Sequence, residues 1–273
     1  MDNDDENNKM MMITKRYALL LAAHDSEYVK KVYGGYFNVF VAAFGEEGEV
    51  WDLYRVVEGE FPDMNELEMY DGFVVSGSPF DAYGDEYWIL ELCLLLQTLD
   101  AMQKKLLGIC FGHQVLCRAL GGKVGRSPTG WDIGLREIKI ENKEFLSSQL
   151  NLEDDDKVPQ SLTIIECHQD EVLEVPIDAE VVAFSDKTKV EIFTIGNHIL
   201  GTQGHPEYTK DILYNLIDRL LTNCSIKEEF AEATRSKIDK SEPDREYWEK
   251  ICKNFLKGRH TIRMDLFNFG DLM

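Results

Sequence analysis

The first half of the chain alternates short apolar runs with amphipathic stretches. Tyr17 to Ala23 is continuously apolar, the pattern of a strand buried on both faces. Tyr28 to Phe44 mixes aromatic and small residues in a helical rhythm broken by Gly34-Gly35. Val50 to Val57 predicts a second strand. Phe73-Val74-Val75 predicts a third, ending in the loop signal Ser76-Gly77-Ser78-Pro79. Trp88, Leu92, Leu95, Leu99 and Met102 recur at helical spacing within Tyr87 to Met102. Leu106 to Ile109 predicts another strand and Phe111 to Leu120 another helix. Strands separated by helices predict parallel pairing through right-handed crossovers.

After Gly121 the rhythm changes. Leu135–Ile140, Leu162–Glu166, Val181–Phe184, Glu191–Ile195 and His198–Gln203 are closely spaced strand-like runs. They read as antiparallel additions joined by hairpins, one turning at Gly196-Asn197. Tyr208 to Leu221 is helical, and two amphipathic patterns follow near Lys227–Ile238 and Asp244–Leu256. The predicted fold class is α/β: a mostly parallel central sheet flanked by helices, with an antiparallel addition and C-terminal helices. The expected organisation is an acidic disordered N-terminus over 1–14, one α/β domain over 15–225, and a helical appendage with a loose tail over 226–273.

Composition narrows the function classes. The 273 residues are 44% hydrophobic and carry a formal net charge of −21. Such a chain repels nucleic acid and anionic membranes, so neither is an expected partner. Much of the charge is local, at Asp2 to Glu6 and Glu153 to Asp156, both read as solvated. The start is acidic where a signal peptide is basic, and no apolar run has bilayer-spanning length. The six cysteines form no C-x-x-C pair. Free thiols in a reducing cytosolic compartment are expected.

The candidate chemistry centres on Gly108-Ile109-Cys110-Phe111-Gly112-His113-Gln114. A strand entering a helix through G-x-C-x-G turns sharply, and its glycines relieve crowding around a strained nucleophile. Cys110 would then cap the following helix, whose dipole favours the thiolate. The Phe111 N–H would donate to a developing oxyanion. Downstream, His205-Pro206-Glu207 offers a base and an orienting carboxylate: i and i+2 of an extended segment share a side. Glu207 accepting from Nδ1 would leave Nε2 to take the Cys110 proton. His113, one turn after Cys110, is the competing histidine. A second oxyanion donor is expected from the amide of Ser78 or Gly77. His168-Gln169-Asp170 is a weaker candidate for the pocket, as are Arg126, Trp131 and Asp132. No metal-site spacing is present, and no cofactor is expected.

Taken together, Gly108 to Gln114 and His205-Pro206-Glu207 resemble the class I glutamine amidotransferase domain over roughly residues 17–221. The resemblance implies a parallel-cored, flavodoxin-like fold and a Cys110/His205/Glu207 triad, with oxyanion amides at Phe111 and near Ser78. It implies that Gln114 grips the glutamyl group and that His168, Gln169 and Asp170 meet the amino-acid end of the substrate. Within that family the chain looks most like the plant γ-glutamyl peptidases. That likeness implies a stand-alone cytosolic cysteine hydrolase acting through a thioester on glutathione or its S-conjugates. It also implies a place in glutathione turnover or in making sulfur-containing defence compounds. Ser78 departs from the second glycine of many relatives; a backbone donor tolerates it at negative φ.

Three other readings share these residues. One is a glutaminase subunit feeding ammonia to a partner synthase. Another is a non-enzymatic binding protein that kept the fold. The third is an α/β-hydrolase with a cysteine nucleophile and Asp170 as its acid, which has the right chain order.

Overall fold

The structure is a computed structural model that describes residues 14–152 and 157–259. The expectations for the acidic stretches at the start and at 153–156, and for the tail from 260, fall outside the described residues. A nine-stranded sheet runs through the body in the order β2-β1-β3-β4-β11-β10-β9-β6-β7. Its parallel half comprises β1 (Arg16–Leu20), β2 (Val50–Tyr54), β3 (Gly72–Val75), β4 (Lys105–Ile109) and β11 (Ile199–Thr202). This is the doubly wound order 2-1-3-4-5, whose ligands sit beyond the carboxyl ends of the strands.

The apolar runs are continuous because the parallel strands are buried on both faces. Tyr17, Leu19, Leu21, Val74, Leu107 and Ile109 enter one buried cluster. Ala18, Leu20, Phe73, Val75 and Leu106 enter the other. On the first face lie α1 (Glu27–Tyr33) and α2 (Tyr36–Phe44), separated at Gly34 and Gly35, whose φ values of 76° and 117° suit glycine. On the second face lie α3 (Tyr87–Ala101) and α4 (Phe111–Ala119).

The antiparallel half contains β6 (Asp132–Ile140), β7 (Ser161–His168), β9 (Ala179–Phe184) and β10 (Ile192–Ile195). The run at His198–Gln203, expected as an antiparallel addition, has two roles. As β11 it closes a hairpin with β10 and also pairs in parallel with β4. One strand is therefore the seam between the two halves. Among the described strands and α-helices, α5 (Lys143–Leu150) and the separate antiparallel ribbon of β5 (Lys123–Arg126) and β8 (Asp170–Glu174) were not expected.

Helix α6 (Lys210–Thr222) follows β11, then come α7 (Glu228–Ile238) and α8 (Arg245–Leu256). The last two were expected as an appendage, yet they belong to the body. Trp248, Ile251, Phe255 and Leu256 are at most 1% exposed and share the cluster of β4. Asp244 and Thr163 exchange hydrogen bonds, and the Trp248 indole donates to the Thr163 carbonyl at 3.0 Å. The hydrophobic stripe of α8 is the reason: it has apolar surface to bury, and the sheet face receives it. Among the described residues no helix is long and apolar enough to cross a membrane.

Candidate active site

Strand β4 ends at Ile109, and Cys110 forms the N-cap of α4 with φ 53° and ψ −103°. Positive φ in a non-glycine residue costs on the order of 1–3 kcal/mol and persists only where the surroundings impose it. Those surroundings require the flanking glycines. A β-carbon on Gly112 would lie 2.3 Å from the Val75 carbonyl oxygen, and one on Gly108 would lie 2.5 Å from that of Gly112. The Cys110 N–H donates to the Thr202 carbonyl at 2.8 Å, which pins the elbow to β11.

The same β4–β11 pairing delivers the histidine. Both strands leave the sheet at one edge, and His205 follows β11 by three residues. Its N–H donates to the Ile165 carbonyl at 2.8 Å. Residues 206 and 207 form a turn rather than the extended segment expected. The turn still places Glu207 Oε1 2.9 Å from His205 Nδ1. A carboxylate facing this nitrogen only accepts, so Nδ1 carries the proton and Nε2 presents a lone pair. Glu207 is fully buried.

Gly77 marks where imidazole and cysteine approach. A β-carbon built there would lie 2.9 Å from His205 Cε1, 3.8 Å from Nε2 and 3.7 Å from Cys110 Cβ. The loop carrying it is held by Ser76, whose Oγ accepts from the Ala22 N–H and donates to the Gly77 carbonyl, both at 2.9 Å. Ser78 Oγ accepts from the Phe80 N–H at 3.2 Å. Among the described residues neither the Gly77 nor the Ser78 N–H has a hydrogen-bond partner. Both stay available to an oxyanion.

Burial pushes the Cys110 thiol well above its ordinary range, with Glu166, Cys167 and Glu207 adding to it; a bond from the Phe111 N–H opposes this. The helix-dipole argument for a standing thiolate is therefore outweighed. Burial holds the Cys110 sulfur as a thiol.

A cavity of about 480 Å³ opens over Cys110 and His205. Gln114, His168, Gln169 and Asp170 line it, as do Arg126 and Trp131. A shallower hollow at Glu141–Glu144 and Ala179–Val181 contains none of the candidate residues. The Gln114 amide nitrogen is committed within the protein, donating to the Asp170 carbonyl at 2.7 Å and to Gln203 Oε1 at 3.0 Å. His168 holds its Nδ1 2.9 Å from the Asp170 carbonyl, and burial pushes its pKa down to about 4. Gln169 bonds Arg126 through its side-chain oxygen. Asp170 accepts from Arg126 Nε at 2.9 Å; burial and neighbouring Asp81 nevertheless push its pKa up to about 6. The β5–β8 ribbon is what brings Arg126 and Asp170 together.

Two candidates turn away. His113 is fully buried against Phe193, bonded to Gln203 at 3.3 Å, with burial driving its pKa down to about 3. Asp132 is taken by Arg136, through contacts of 2.5 and 3.1 Å. The α/β-hydrolase reading loses its acid, because Nδ1 of His205 faces Glu207 and Asp170 faces Arg126. The sequence reading missed Tyr208, whose ring stacks on the His205 imidazole with centroids 4.0 Å apart. An aromatic residue three positions after the histidine was the only available signal. It also missed Tyr36, Cys167 and Arg219, which line the cavity from α2, β7 and α6. Among the described residues no group of three or more His, Cys, Asp or Glu could hold a metal ion.

Comparison with known proteins places this architecture in a class. Residues 32–215 match the glutamine amidotransferase class-I family, and the chain belongs to it. It is 56% identical to gamma-glutamyl peptidase 3 of Arabidopsis thaliana over 245 residues, 89% of this chain and 97% of that protein. It is 54% identical to gamma-glutamyl peptidase 5 of the same plant over 250 residues, 90% of this chain and 96% of that protein. Among solved structures, a glutamine amidotransferase from Thermotoga maritima matches with a TM-score of 0.64 at 21% identity, covering 89% of this chain and 98% of that one. At that identity the likeness speaks for the fold alone.

Proposed function

We propose that the chain is a cysteine-dependent γ-glutamyl hydrolase, with Cys110, His205 and Glu207 as its triad. The observation that carries the reading is the joint approach of His205 and Cys110 to Gly77, with Glu207 bonded behind the imidazole at 2.9 Å. The names of the Arabidopsis relatives support the acyl group.

The chemistry follows from the geometry. Cys110 gives its proton to His205 Nε2 as its sulfur attacks the γ-carbonyl. Negative charge gathers on the carbonyl oxygen, where the amides of Phe111 and of Gly77 or Ser78 donate. Removing one such donor typically costs about 10²–10³ in turnover. His205 then protonates the leaving amine, the C–N bond breaks, and a thioester remains. Water, deprotonated by the same imidazole, hydrolyses it and releases glutamate. Glu207 keeps the imidazole oriented and offsets its positive charge. Gln114, His168, Gln169 and Asp170 form the glutamyl side of the cavity; Gln114 acts there through its carbonyl oxygen, since its NH₂ is occupied.

The finer reading is a stand-alone cytosolic enzyme acting on glutathione or its S-conjugates, in glutathione turnover or sulfur secondary metabolism. A cavity of about 480 Å³ lies within the range of roughly 300–1,000 Å³ that suits ligands larger than one amino acid. The test is a panel of glutamine, glutathione and a bulky S-conjugate, assayed by glutamate release from the lone protein. Release from the peptides that Cys110→Ala abolishes is expected. Activity on glutamine alone, appearing only with an added synthase, would establish the glutaminase reading instead.

A further inference from the structure

We propose that Arg219 receives the free carboxylate of the leaving group, so that the substrates are γ-glutamyl peptides with an unblocked C-terminus. This rests on the γ-glutamyl hydrolase reading above and names the leaving group for it.

Helix α6 turns one face to the cavity. Leu216, Arg219 and Leu220 line it, and Asn223 follows at the helix end. These positions recur at three and four residues, the spacing of one helical stripe. The neighbouring residue Asp218 is off that stripe and bonds Arg235. Arg219 is exposed, and among the described residues no carboxylate forms an ion pair with it. In a chain of net charge −21, an arginine without an acidic partner is a bare donor fork facing a binding space. Its planar guanidinium matches a carboxylate through two parallel hydrogen bonds.

The cavity's other arginine is differently placed. Arg126 comes from β5 and is engaged by Asp170 of β8 and Asp81 of the loop after β3, at 2.9 and 3.6 Å. That wall mixes both charges. It suits the amine and carboxylate of an amino-acid head group, the part every γ-glutamyl substrate shares. The Arg219 wall comes from α2, β7 and α6, where the groups feeling its charge are Tyr36 and Cys167. It offers a single positive charge and apolar surface from Leu216, Leu220 and Phe40. With the glutamyl head at Arg126 and the scissile carbon at Cys110, this wall is left to the departing amine. The ammonia of glutamine has nothing to place there. A departing amino acid or dipeptide has a terminal carboxylate.

The experiment compares glutathione with its C-terminal amide, using the whole chain and its Arg219→Gln variant. The wild type should favour the free acid over the amide in kcat/KM by about 10- to 100-fold, the usual worth of a charge-assisted bond. Arg219→Gln should reduce that ratio to about one, mainly through KM for the free acid. Thermal unfolding of the variant should match the wild type, since Arg219 is exposed. A wild type indifferent to amidation, or a variant that keeps the preference, overturns the assignment and leaves the hydrolase reading standing. A wild type that cleaves neither peptide but does cleave glutamine overturns both.

Discussion

The imidazole of His205 lies flat on the phenol ring of Tyr208, with centroids 4.0 Å apart and planes 4° from parallel. Glu207 fixes the ring's edge and Tyr208 fixes its face, so the imidazole has little freedom to turn. In the proposed reaction the aromatic face would also favour the imidazolium formed when the thiol gives up its proton. Burial pushes the Tyr208 phenol upward, so it stays neutral throughout. Tyr208→Phe keeps the platform, whereas Tyr208→Leu removes it. Aromatic contacts of this kind are worth about 0.5–1.5 kcal/mol. Steady-state kcat should therefore fall about 2- to 10-fold further in the leucine variant than in the phenylalanine one. Equal values for the two would show the ring to be mere filler.

Gly77 makes a second, steric prediction. A methyl group there would press on His205 Cε1 from 2.9 Å, inside any real contact distance. The imidazole is stacked on Tyr208 and tied to Glu207, so the loop or the imidazole must shift. A misplacement of about 1 Å can cost about 10² in rate. Gly77→Ala should lower kcat by about that factor with Tm nearly unchanged. A fully active variant would exclude the close approach described for this loop.

Asp170 sets a pH dependence. Its carboxyl, pushed up to about 6 by burial and Asp81, is ionised above that pH and neutral below it. If Asp170 meets the substrate's amine as proposed, it does so in the ionised form. KM should therefore rise as pH falls through about 6, and Asp170→Asn should show a raised KM at pH 8 without that inflection. A wild-type KM that stays flat from pH 5 to 8 would remove Asp170 from substrate recognition.

Behind the site, Glu166 and Glu191 are 0% and 1% exposed. Burial pushes Glu166 well above the carboxylate range and Glu191 to about 8. Both carboxyls are protonated in the folded protein where the unfolded chain has released its protons. This pair thus binds more protons in the folded protein between about 4.5 and 8, and its contribution to stability falls as pH rises through that window. Glu191→Gln keeps the shape without the titrating proton. Urea unfolding should show the variant gaining on the wild type as pH goes from 5 to 8. A constant difference across that range would contradict the assignment.

Much of this was legible in the chain. The elbow is a local event: two glycines, a cysteine and a strand-to-helix change of period are contiguous, and φ 53° at Cys110 is what they impose. The break between α1 and α2 was equally visible at Gly34-Gly35. Other features were hidden. Lys123 to Arg126 and Asp170 to Glu174 are too short and polar to read as strands, yet they pair with each other. Arg219 looks like any surface arginine on an amphipathic helix until the cavity is found on its side.

Amino-acid order alone determined which segments turn, which faces are apolar, and which residue types stand ready for acyl transfer. Those depend on neighbours a few positions away, where side-chain period and backbone sterics act directly. Packing over long separations decided the rest. It set β11 beside β4, so that residues nearly a hundred positions apart leave one sheet edge together, and it made the cysteine a buried thiol rather than a standing thiolate. Strand order and desolvation are properties of the assembled core, and no local pattern encodes them.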